Sequence, residues 1–87
     1  MPIITDANVY ENLRAEEKIG ILIFICREQK NISRKQLASK IDKTVQVVSD
    51  IENLFQHREG KRQSITYDEI VAIAQALEVP ISQILPK

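Results

Sequence analysis

A chain of 87 residues with 44% apolar content can close one modest core and leaves no room for a second domain. Two Gly, three Pro, two Tyr and two Phe, set against many Ile, Leu, Ala, Glu, Gln and Lys, favour helices joined by short turns over a strand-rich sandwich. The formal net charge of zero argues against indiscriminate binding to nucleic acid, and the lone cysteine excludes an intrachain disulfide.

Met1-Pro2-Ile3-Ile4-Thr5-Asp6 has neither the basic flank nor the apolar stretch of a signal peptide, and the apolar run Ile21–Cys26 is too short to span a bilayer. A cytoplasmic protein, bacterial or phage, is expected. Residues 1–15 read as an N-terminal extension, in which Thr5 or Asp6 can cap a helix through about Leu13, and residues 16–87 as the domain. The first firm helix runs from about Glu16 to Lys30, with Ile19, Leu22, Ile23 and Cys26 on one face. Ile21, Phe24 and Ile25 widen that face until the helix is apolar nearly all round, which predicts burial against other helices or a partner chain. Cys26 reads as a small core side chain. The helix should stop at Asn31, which tolerates the left-handed conformation well for a non-glycine residue.

Ser33-Arg34-Lys35-Gln36 is a capping-box pattern that opens a short second helix with Leu37, Ala38 and Ile41 facing inward. Asp42-Lys43 breaks the run. Thr44 then caps a third helix in which Val48, Ile51 and Phe55 recur at helical spacing, expected to continue to about His57 with Gly60 as its stop. Thr66-Tyr67-Asp68-Glu69 is a second capping box, opening a fourth helix with Ile70, Ile73, Ala74 and Leu77 as core candidates and an end near Glu78. Pro80 suits the first turn of a last short helix, where Ile81, Ile84 and Leu85 form an apolar edge. The fold class expected is therefore all-α, five helices with room for an extra one at the N-terminus.

Charge is unevenly spread. Residues 27 to 62 carry nine basic and five acidic side chains, and the two ends carry the compensating negative charge. A basic middle fits a protein that presents one face to a polyanion. Within it, a short helix, a tight turn and a second helix span Ser33 to Asn53. That geometry projects Thr44, Val45, Gln46, Ser49 and Asp50 from the front of the third helix, where base edges are met in the major groove. Ser33, Arg34, Lys35, Lys43, Arg58, Lys61 and Arg62 border it as candidate phosphate contacts.

The residues Arg27-Glu28-Gln29-Lys30-Asn31-Ile32-Ser33-Arg34-Lys35-Gln36-Leu37-Ala38, then Val48-Ser49-Asp50-Ile51-Glu52, then Ile73-Ala74-Gln75-Ala76-Leu77-Glu78-Val79 resemble the lambda-repressor/Cro-type (Xre-like) helix-turn-helix family of transcriptional regulators. The resemblance covers roughly Ile19 to Leu85. It implies the five-helix fold, an ion pair between Arg27 and Glu52 that joins the first and third helices, and binding to double-stranded DNA. Asp42 stands where the family usually has Gly, Arg34 where it commonly has Gln, and Glu52 and Gly60 are about six residues further apart than usual. The front of the third helix has no Arg or Lys, so base contact there would rest on Gln46, Ser49, Thr44 and Asp50, the last accepting from cytosine N4.

A homodimer is expected, because one helix-turn-helix contacts few base pairs and relatives bind paired half-sites. The edge of Ile81, Ile84 and Leu85, or the surface around Ile21, Phe24 and Ile25, would form the contact. Catalysis and a metal are not expected: His57 is the only histidine, and neither Ser33 nor Ser64 has a histidine at suggestive spacing. No cofactor is implied. Two functions remain: a sequence-specific regulator of the phage-repressor, restriction-modification-controller or antitoxin type, and a helix-turn-helix used as a protein-interaction module.

Overall fold

The computed structural model describes residues 15–53 and 65–86. Over them the chain forms α1 (Ala15–Gln29), α2 (Arg34–Lys40), α3 (Val45–Glu52), α4 (Tyr67–Leu77) and a 3₁₀ turn at Ile81–Gln83, with no strand among the described residues. The proposed N-terminal helix, and Phe55, His57 and Gly60, lie outside them.

Local chemistry sets the helix starts. Ser33 Oγ accepts from the Gln36 backbone N–H at 3.0 Å while the Ser33 N–H donates to Gln36 Oε1 at 2.8 Å, and Thr66 and Glu69 repeat the same reciprocal pair. Each box satisfies two amides that a helix start would otherwise leave open.

The ends of α1, α2 and α4 share one device. Asn31, Asp42 and Glu78 adopt φ of 57°, 58° and 57°, and in each case the next residue's N–H reaches five residues back: Ile32 to Arg27 O, Lys43 to Ala38 O, Val79 to Ala74 O. This is the Schellman closure built without glycine, at a conformational cost at Asp42 and above all at Glu78. Ile32 and Val79 pack onto the core behind their turns, whereas Lys43 stands exposed.

Two elements differ from expectation. α3 stops at Glu52 rather than near His57: Asn53, the C-cap, leaves the helical region (φ −105°, ψ 18°), and its side chain reaches back to the Ser49 hydroxyl. In place of a fifth α-helix the chain makes a three-residue 3₁₀ turn, closed by Gln83 N–H to Pro80 O and Ile84 N–H to Ile81 O. The tighter turn carries Ile84 fully into the core.

The core gathers Ile19, Ile23 and Cys26 from α1, Leu37 and Ala38 from α2, Val48 and Ile51 from α3, and Ile70, Ile73, Ala74 and Leu77 from α4, closed by Ile65 and Ile84. α1 meets both α3 and α4, and α2 packs between α3 and α4. Gly20 lets α1 and α3 touch backbone to backbone: a Cβ there would overlap the Ile51 carbonyl oxygen.

Candidate nucleic-acid interface

Three kinds of contact hold α3 from behind. Val48 and Ile51 pack against α2, where the small Ala38 allows a close crossing. Gly20 seats α1 against the last turn of α3. Glu52, 0% exposed, is gripped on two sides. Arg27 donates to it through Nε at 2.6 Å and Nη2 at 3.1 Å, and Arg34 through Nε at 2.9 Å. The bidentate fork on a buried carboxylate is the geometry in which an arginine pair is strongest.

Arg27 also donates Nη1 to Ile32 O at 2.8 Å and to Glu28 Oε2 at 3.0 Å, and lies over the Phe24 ring at 5.4 Å. Burial alone would lower the affinity of this guanidinium for its proton. The hydrogen bonds and charge of Glu52, then Glu28, outweigh it, and the net shift is upward. Four structural elements are thereby tied at one residue: α1, the turn after it, α2 by way of Glu52, and α3.

The opposite face of α3 looks out. Thr44, the N-cap, accepts the Val47 N–H on Oγ1 at 3.2 Å. Val45 is 45% exposed, one of three large apolar side chains left in solvent among the described residues, with Tyr67 and Leu85. Gln46 is exposed and donates Nε2 to Asp50 Oδ1 at 2.8 Å, and Asn53 donates Nδ2 to Ser49 Oγ at 3.3 Å. The five residues predicted to meet bases, Thr44, Val45, Gln46, Ser49 and Asp50, thus share one face, and four of them are engaged in hydrogen bonds along the helix. Asn53 was not among the expected site residues. Its spacing of four from Ser49, like that of Gln46 from Asp50, is the signal that the sequence offered.

The predicted phosphate contacts divide. Ser33, Lys35 and Lys43 are exposed beside α2 and the turn. Arg34 is half-buried, its Nε spent on Glu52, which the sequence reading did not foresee. Lys43 borders a groove with Ile41, Thr66, Asp68, Glu69 and Ala72, so two carboxylates stand in its vicinity. Arg58, Lys61 and Arg62 lie outside the described residues.

The two surfaces proposed for self-association are both reduced. Ile21 and Ile84 are buried within the chain, which leaves Phe24 and Ile25 half-covered on one side, and Leu85 with part of Ile81 on the other. Among the described residues no group of His, Cys, Asp and Glu is placed to hold a metal, and no helix is long and apolar enough to cross a membrane.

A family model described as helix-turn-helix covers residues 23–84, a span that begins inside α1, ends at the buried Ile84 and contains the whole α2–turn–α3 unit. A search among curated proteins finds no match.

Proposed function

Because the chain belongs to the Cro/C1-type, Xre-like helix-turn-helix family of DNA-binding regulators, we propose that it is a sequence-specific transcriptional regulator that inserts α3 into the major groove as one half of a symmetric dimer. The observation that carries this reading is the two-sided character of α3. Its rear is locked by Val48, Ile51 and Glu52, all at most 1% exposed, while Val45 and Gln46 stand in solvent.

The chemistry of the front then sets what is read. Without Arg or Lys, α3 lacks the side chains that most often contact guanine. Gln46 suits adenine N6 and N7, and Val45 suits the thymine methyl group, so the bases beneath the start of α3 are A·T pairs. Ser33, Arg34, Lys35, Lys43, Arg58, Lys61 and Arg62 hold the phosphates, and Ser49 and Thr44 add hydroxyl contacts. Dimerisation is assigned to the remaining apolar edge at Leu85 and Ile81, and paired heads of this kind meet half-sites about one DNA turn, roughly 34 Å, apart.

One observation favours the second reading, a protein-interaction module. The front of α3 has no cation and one carboxylate, Asp50, where a polyanion would approach. The experiment that separates the two is selection of duplexes from a random pool, followed by titration against salt. With Arg34, Lys35 and Lys43 engaged on each half-site, the slope of log K against log salt is about −5, and it steepens by about one for each further phosphate that Arg58, Lys61 or Arg62 holds. Failure to enrich any sequence, with a flat slope, would leave the interaction module.

A further inference from the structure

The carboxylate on the reading face invites a role other than repulsion. We propose, resting on the DNA-reading function above, that Asp50 is a positioning residue: it orients the Gln46 amide so that this side chain selects adenine over guanine.

An ionised carboxylate only accepts hydrogen bonds. The 2.8 Å contact between Gln46 Nε2 and Asp50 Oδ1 therefore fixes which end of the amide faces Asp50, and Oε1 must face away. One N–H of the amide is consumed, and one N–H and the carbonyl oxygen remain. That is the complement of adenine, which offers N6–H as donor and N7 as acceptor. Guanine offers two acceptors, N7 and O6, and an amide meets both only by turning its two N–H groups to the base. With one of them held by Asp50, that mode is closed. An untethered Gln46 would flip between the two arrangements and discriminate less. The neighbouring bond from Asn53 to Ser49 lies along the same face, so the polar side chains of the front are braced by residues one turn further along the helix.

The test uses the full chain and the duplex that it enriches from a random pool. Base preference at the Gln46 position is measured with A, G, C and T variants of that duplex. Asp50→Ala is expected to lower the adenine-over-guanine preference about two- to tenfold, the worth of one hydrogen bond, and to tighten binding to every duplex through loss of a negative charge. Asp50→Asn, whose amide can donate as well as accept and so no longer fixes the Gln46 amide, should tighten binding likewise and lower the preference in the same direction. In a Gln46→Ala background, Asp50→Ala should leave the preference at that position unchanged. If the effects of the two alanines were additive, or if Asp50→Asn kept the full preference although its amide can donate, the positioning role would be overturned with the DNA-reading function intact. If the wild-type chain enriched no sequence, both would fall.

Discussion

Replacing Gly20 by Ala sets two physical effects against each other with opposite signs. On helix propensity alone, Ala in the middle of α1 should stabilise the chain by about 1 kcal/mol. The structure predicts the reverse, because the new Cβ would overlap the Ile51 carbonyl oxygen and crowd the Glu52 backbone. The obstacle is backbone, which cannot swing aside as a side-chain tip would. α1 and α3 must separate instead, loosening Ile19 and Ile23 against Ile51. Overpacking typically costs about 1–3 kcal/mol, and an overlap with backbone belongs at the upper end of that range, so the net loss is about 2 kcal/mol. At about 4–8 °C per kcal/mol for a domain of this size, the midpoint of thermal unfolding followed by circular dichroism falls by about 8–16 °C. An unchanged or raised midpoint would refute the close crossing of α1 and α3.

Glu52→Ala leaves Arg27 buried without its carboxylate, a loss of about 3–5 kcal/mol, and chemical denaturation should find the variant at the edge of folding, with Glu52→Gln milder because its amide oxygen still accepts. Glu78→Gly should raise stability by about 1 kcal/mol, since φ of 57° costs glycine nothing and a negative charge leaves a helix C-terminus; thermal unfolding would show it. Burial pushes the Cys26 thiol up, against a smaller opposing pull from Lys30, so at pH 8 a thiol reagent should label the native chain far more slowly than the urea-unfolded one. The sign also sets a pH trend: the protonated thiol favours the fold below the ordinary thiol range near about 8.5, that contribution is lost as pH rises through the raised value, and Cys26→Ala should lessen the alkaline fall in stability measured by urea titration.

What the sequence revealed followed the range of the interactions. Both capping boxes were legible because Ser33 with Gln36, and Thr66 with Glu69, are three residues apart and need only a helix to meet. Asn31 announced its left-handed turn by its own side-chain chemistry. Arg27 and Glu52, 25 positions apart, came within reach only through resemblance to a family. The third member of that cluster, Arg34, was expected on phosphate, since its bond to Glu52 depends on the crossing of three helices that no spacing encodes. Gly20 drew no notice for the same reason: a glycine in a helix looks like a weakness until the backbone of Ile51 is seen against it. In the sequence Ile84 reads with Ile81 and Leu85 as an apolar edge, but the 3₁₀ turn takes it into the core. On the front of α3, helical periodicity brings Gln46, Ser49 and Asp50 to one side, but it does not announce the Gln46–Asp50 bond or the Asn53–Ser49 bond, although four-residue spacing permits both.

The claim that α3 is the reading head is tested most directly by Gln46→Ala, an exposed change that leaves the core untouched. Affinities of the wild type and the variant are compared on the enriched duplex and on random-sequence duplex at one salt concentration. The account predicts a loss of roughly 1–3 kcal/mol on the enriched duplex, about 5- to 150-fold, and much less on random DNA. An equal loss on both duplexes, or no loss on either, would contradict it.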